Sequence, residues 1–259
     1  MPQLKTVRFE GHGPKGLETW EPIEASHLVS GTPVQRGHLY LDAKEHGLMA
    51  GVWDCTPFTA KQGPYPVNEF MHVLEGSITI VEQGGKATTV RAGQSFIIPK
   101  GLVCQWRQTS YVRKFFVIFD DKSGAKPAGP AKLHVIKIDT RSPLGPMDIP
   151  DTSVFVGPVP TQTVKGWFDD ATGQLTVGVW ATTPFTRKVM PSPRYELMHL
   201  LEGAVTISDG AGNAQTFKTG DTFLVPEGAP CAWSNSVPVK KIYVIFKAKA
   251  AAAQTAAAE

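Results

Sequence analysis

The chain is poor in the features that would name a function quickly. It holds only three cysteines, Cys55, Cys104 and Cys231. An odd number in 259 residues is no disulfide framework and suits a reducing compartment. No apolar run approaches the roughly 20 residues that span a bilayer. The opening MPQLKTVRFEGHG is mixed and polar, unlike a basic-then-apolar leader. Net charge is only +3, with no dense Lys/Arg cluster, so neither nucleic acid nor a membrane surface is an expected partner. A glycine-rich phosphate loop, a Gly-x-Ser-x-Gly elbow and a Cys-x-x-Cys pair are all missing. The expectation is a cytoplasmic protein that handles a small molecule.

What the chain does have is a copy of itself. Shifted by about 127 positions, residues 51–119 align without a gap on 178–246, and nearly half the positions are identical. NEFMHVLEG at 68–76 returns as YELMHLLEG at 195–203, and Gly93, Pro99, Gly101, Cys104 and Trp106 return as Gly220, Pro226, Gly228, Cys231 and Trp233. A looser prelude, 28–42, recurs at 154–170. The repeat is therefore a whole domain, expected over 1–119 and 133–247. Residues 120–132, rich in Pro, Gly and charge, are expected as a linker, and the alanine-rich 248–259 as a flexible tail. Glycine and proline are plentiful (25 and 21). Short β-branched and aromatic runs such as SITIVEQ, SFIIP, FFVIF, TFLVP and IYVIF lie between them. This pattern predicts an all-β protein of sandwich or barrel type.

Several motifs occur in order in each half: Pro66, Glu69, Val73-Leu74-Glu75-Gly76, then Gly93, Pro99, Gly101, Trp106, and a closing Val112-Arg113-Lys114 strand. The second half repeats them with Leu200 for the Val and Lys240 for the Arg. In these residues the chain resembles the cupin superfamily, specifically the (S)-ureidoglycine aminohydrolase-type cupin domain. The resemblance implies two tandem jelly-roll barrels, a bicupin. It also implies that strands pair across subunits, so a homodimer is expected.

The resemblance further implies where a metal would sit. Metal-binding cupins place a His-x-His pair before the first glutamate and another histidine after the second motif. Here the glutamates are Glu69 and Glu196, but the imidazole positions fall on Gly63, Tyr65 and Cys104, and on Met190, Ser192 and Cys231. His72 and His199 are three residues from their glutamates, so strand alternation sends them to the opposite face. His72 is expected to pack between the barrel wall and an outer strand or subunit. No metal and no other cofactor is therefore expected, although thiolate plus carboxylate could hold Zn, or Mn as in the aminohydrolase, with added ligands. A nucleophilic role for Cys104 and Cys231 needs a base or cation that the sequence does not assign, and Glu69 nearby would raise the thiol pKa.

The expected ligand-binding residues are thus Tyr65, Glu69, Met71, Cys104 and Trp106 in one barrel, and Ser192, Glu196, Met198, Cys231 and Trp233 in the other. Tyr65 against Ser192, and Val67 against Arg194, make the two pockets unequal. Three functions fit: a barrel-interior site for a small polar metabolite, catalytic or not; a metal-dependent aminohydrolase; or a silent bicupin whose barrels serve structure and dimerisation.

Overall fold

A computed structural model describes residues 5–125 and 133–249. It is built of short strands and two three-residue 3-10 turns, Ala25–His27 and Lys44–His46. No helix among the described residues is long and apolar enough to cross a membrane. The expected linker and tail lie mostly outside the described residues.

Each repeat forms two facing sheets. In the first, Ser95–Ile98, Asn68–Glu75, Val112–Phe119, Leu48–Cys55 and Gln35–Ala43 are consecutive neighbours in a seven-stranded sheet. Ala87–Arg91, Ser77–Glu82, Val103–Gln108, Phe58–Ala60 and Leu28–Ser30 run through the sheet opposite it. The second repeat has the same plan. Its seven-stranded sheet carries Thr222–Val225, Tyr195–Glu202, Val239–Phe246, Leu175–Thr182 and Gln162–Asp169. The all-β, double jelly-roll expectation is met, and SITIVEQ, SFIIP, FFVIF and their copies are strands.

Period-2 alternation divides the apolar residues into three cores. Met71, Val73 and Phe116 face the interior of the first barrel with Trp53, Cys104 and Trp106. Met198, Phe223, Cys231 and Trp233 fill the second. Phe70, Phe115, Val117 and Phe119 point the other way and meet Leu197, Ile242, Val244 and Phe246 in a core shared by the two barrels. The closing strands are buried on both faces, which is why FFVIF and IYVIF read as unbroken apolar runs.

Residues one repeat apart touch each other across this shared core. The His72 and His199 rings lie 3.9 Å apart, and Phe119 and Phe246 lie 5.0 Å apart. Self-matching contacts of this kind mark a local two-fold axis. His72 thus packs against the outer face of the other repeat. Each repeat also lends its first strand to its partner. Val7–Phe9 pairs with Thr222–Val225 of the second repeat, and Ile136–Lys137 pairs with Ser95–Ile98 of the first. Phe9 is buried in the shared core and stacks on Tyr40 at 4.3 Å.

Candidate functional site

The strand NEFMHVLE brings Glu69 to the end of the first barrel's interior, and Ser95–Ile98 and Val112–Phe119 flank it on either side. Glu69 is buried and meets a buried lysine: Lys114 Nζ donates to Glu69 Oε1 at 2.5 Å and approaches Met71 Sδ at 3.1 Å. The other oxygen of Glu69 accepts from the Tyr65 hydroxyl. The ammonium also lies 4.8 and 5.0 Å from the ring centroids of Trp53 and Trp106, in cation–π contact. Burial first, then the Glu69 carboxylate, raises the Tyr65 phenol well above its usual value. Tyr65 therefore remains a donor, and both oxygens of Glu69 are engaged.

The second barrel repeats the ion pair but not the tyrosine contact. Lys241 Nζ donates to Glu196 Oε1 at 2.7 Å, touches Met198 Sδ at 3.0 Å, and lies 4.7 and 4.8 Å from the Trp180 and Trp233 ring centroids. Ser192 replaces the tyrosine and turns its hydroxyl to the Arg194 carbonyl at 2.7 Å. Arg194 takes the second oxygen of Glu196, at 3.0 Å from Nη2 and 3.2 Å from Nε. Burial would raise the Glu196 carboxyl, but Lys241 and Arg194 outweigh it and hold it at about 2. A cavity of about 360 Å³ opens over this group, lined by Glu196, Lys241, Arg194, Arg187, Trp180 and Trp233 among others. That is within the size range of small-molecule sites.

The aromatic walls correspond in the two repeats. Trp106 meets Trp53 edge-on at 6.1 Å and is parallel to Phe58 at 6.3 Å. Trp233 meets Trp180 edge-on at 5.7 Å and is parallel to Phe185 at 5.9 Å. Trp106 donates its indole N–H to Gln108, and Trp233 to Asn235, so both are anchored. Cys104 and Cys231 share these interiors. Burial, then Glu82, pushes the Cys104 thiol up to about 11. The expected influence of Glu69 is thus taken by Glu82. Burial likewise raises Cys231, against the opposing pull of Arg187. Both are protonated thiols at neutral pH, a poor state for a nucleophile.

The structure therefore gathers Tyr65, Glu69, Met71, Cys104 and Trp106 around one interior, and Ser192, Glu196, Met198, Cys231 and Trp233 around the other. Sequence reasoning missed Lys114, Lys241 and Arg187. The lysines were legible: each shares the parity of an interior aromatic or aliphatic two residues on, and each recurs at the same place in both halves. The donor set does not fit a cupin metal. Each barrel glutamate is engaged by an ammonium and one further donor, and among the described residues no group of three His, Cys, Asp or Glu side chains converges. An ammonium ion stands beside the carboxylate that would otherwise ligate a metal.

Two facing jelly-roll sheets in each repeat, with the site between them, define a bicupin. The chain belongs to the EutQ-like cupin domain family, whose model matches residues 43–116 and 170–243. No curated protein sequence matches it. Among solved structures it is similar to a Pseudomonas syringae protein of unknown function from the DUF861 family. That likeness has 29% identity and a TM-score of 0.76 and covers 94% of this chain and all of that one. A putative dioxygenase from Nostoc punctiforme shares the fold at 14% identity and a TM-score of 0.61, over 98% of this chain and 86% of that one. So does Ylba from E. coli, also of the DUF861 family, at 11% identity and a TM-score of 0.57, over 97% and 95%.

Proposed function

We propose that the second barrel binds a small polar metabolite without a metal, and that the first barrel is its closed, structural copy. The observation that carries this reading is one ion pair in two settings. Glu69–Lys114 is capped by Tyr65, whereas Glu196–Lys241 faces an open cavity with aromatic walls. The ammonium supplies the fixed positive charge that a metal would supply in other cupins, and the indoles offer stacking surface. Binding is favoured over turnover. Glu196, held ionised by two cations, is a weak base, and the buried thiols are weak nucleophiles.

The aminohydrolase reading, which the resemblance to the ureidoglycine enzyme implies, asks for imidazole ligands that neither barrel supplies. The decisive measurement is a thermal-melt screen against small polar metabolites, paired with elemental analysis. A rise in Tm that Trp233→Ala abolishes, in protein free of stoichiometric metal, is the expected result. Stoichiometric Mn or Zn would favour the aminohydrolase. A panel that leaves Tm unmoved would favour the silent, structural bicupin.

A further inference from the structure

The two repeats differ in charge where they differ in openness. Arg187 stands where the first repeat has Ala60, and Arg194 where it has Val67, so two guanidinium groups belong to the open cavity alone. Arg194 and Lys241 share one carboxylate, Glu196, which leaves that trio with one excess positive charge. Arg187 has less. Among the described residues its side chain bonds only to the Cys231 sulfur, at 3.7 Å from Nη2, and its Nε is buried without a partner. A thiol is a weak, uncharged acceptor, and a guanidinium offers five donors in a planar fork. The one other acidic side chain on the lining, Asp151, is exposed and bonds to the Ser153 backbone N–H and hydroxyl. Even counting it, the cavity keeps a net positive charge. Much of the remaining wall is apolar, with Trp180, Phe185, Trp233, Val164 and Ile245 among its members.

An unneutralised, partly unsatisfied guanidinium beside an apolar wall is incomplete alone and complete with an anion on an apolar body. Resting on the metabolite reading above, we infer that the second barrel is an organic-anion site. A carboxylate bonds to the Arg187 fork, and its hydrocarbon or aromatic body lies against Trp180, Phe185 and Trp233. Carboxylate–guanidinium pairs are short, two-pronged and roughly twice as strong as neutral hydrogen bonds, so Arg187 sets the ligand class. The first barrel, with Ala60 and Val67 at these positions, has no such selectivity.

The test is calorimetric titration of the full chain at pH 7.5 with benzoate and hexanoate, their neutral amides benzamide and hexanamide, and inorganic phosphate. The acids are expected to bind at least tenfold more tightly than the amides. Arg187→Gln should erase that gap, and Arg187→Lys should restore only part of it. If the variants do not fold, ionic strength reports the same charge: affinity for the acids should fall with salt, while that for the amides stays constant. Amides that bind as well as the acids would overturn the anion assignment while leaving the metabolite site standing. Phosphate binding as tightly as benzoate would overturn the apolar body. Binding by none of the five would overturn this inference, whereas the metabolite site would still be judged by its broader screen.

Discussion

Lys114 and Lys241 each sit beside a carboxylate in a barrel interior, a placement that is stable only while both partners remain. The Glu69–Lys114 pair is almost fully buried, with side chains 6% and 7% exposed. Removing one member leaves a buried charge unpaired. Lys114→Met is therefore expected to destabilise the protein by about 3–5 kcal/mol. The Glu69→Gln/Lys114→Met double variant should recover most of that loss, and urea melts of the three proteins check it. The cysteines make a second residue-scale test. Cys104 and Cys55, buried and pushed up to about 11 and about 12, should resist iodoacetamide at pH 7.5 in the native protein and react only on unfolding. Rapid labelling at Cys55 or Cys104 in the folded chain, located by peptide mapping so that Cys231 on the cavity wall is counted apart, would contradict their placement.

The repeated motif ends in a Glu-Gly turn, and the glycine there is a backbone requirement. Gly76 and Gly203 adopt φ of +78° and +81°, and a Cβ on either would lie 2.1 Å from the carbonyl oxygen of Tyr111 or Pro238. Gly203→Ala should cost at least about 1–2 kcal/mol from the left-handed backbone alone. The overlap adds to that, and chemical denaturation would measure the total. The exchanged strand offers a second test among the elements. Phe9 is buried between the barrels although it lies in the chain's first described strand, Val7–Phe9. Phe9→Ala is expected to cost about 3–5 kcal/mol. Hydrogen exchange should show protection lost in Thr222–Val225 of the second repeat before it is lost in Ser95–Ile98 of the first. The opposite order would contradict the exchange.

Across the whole molecule, the facing histidines couple the two halves to pH. Burial, then the neighbouring imidazole, lowers His72 to about 3; burial, against the pull of Asp221, lowers His199 to about 4. Each ring accepts or donates through Nδ1 to a hydroxyl, Ser95 or Thr222, at 2.8 Å. Both folded values lie below the unfolded value near 6.5. The unfolded chain therefore binds more protons between these limits. The contribution is complete above about pH 6.5 and is lost as pH falls toward 4 and then 3. Near pH 5 unfolding takes up nearly two protons at this pair, a slope of roughly 2–3 kcal/mol per pH unit. Urea melts at pH 5 and 7.5 should show that share of the slope vanish in a His72→Gln/His199→Gln variant. An unchanged slope would mean that the rings are accessible to solvent.

The sequence by itself determined the duplication, the all-β class and the opposite faces on which Glu69 and His72 lie. These follow from local rules: a repeat copies its fold, glycine and proline mark turns, and side chains alternate along a strand. Parity alone put Glu69 with Met71 and parted it from His72. Parity also turns Lys114 inward with Phe116, although lysine is a residue type that is almost never fully buried unless paired. Tertiary structure decided what no single strand encodes. It set which carboxylate meets which ammonium, and which repeat lends its first strand to the other. It brought His72 onto His199, and it left one barrel capped by Tyr65 while the other opens onto Arg187. Apart from the short-range Tyr65 cap, those outcomes join residues 39 positions apart (Ile97 with Ile136) to 217 apart (Val7 with Leu224), and only the packed sheets bring such residues within the few ångströms at which charges and hydrogen bonds act.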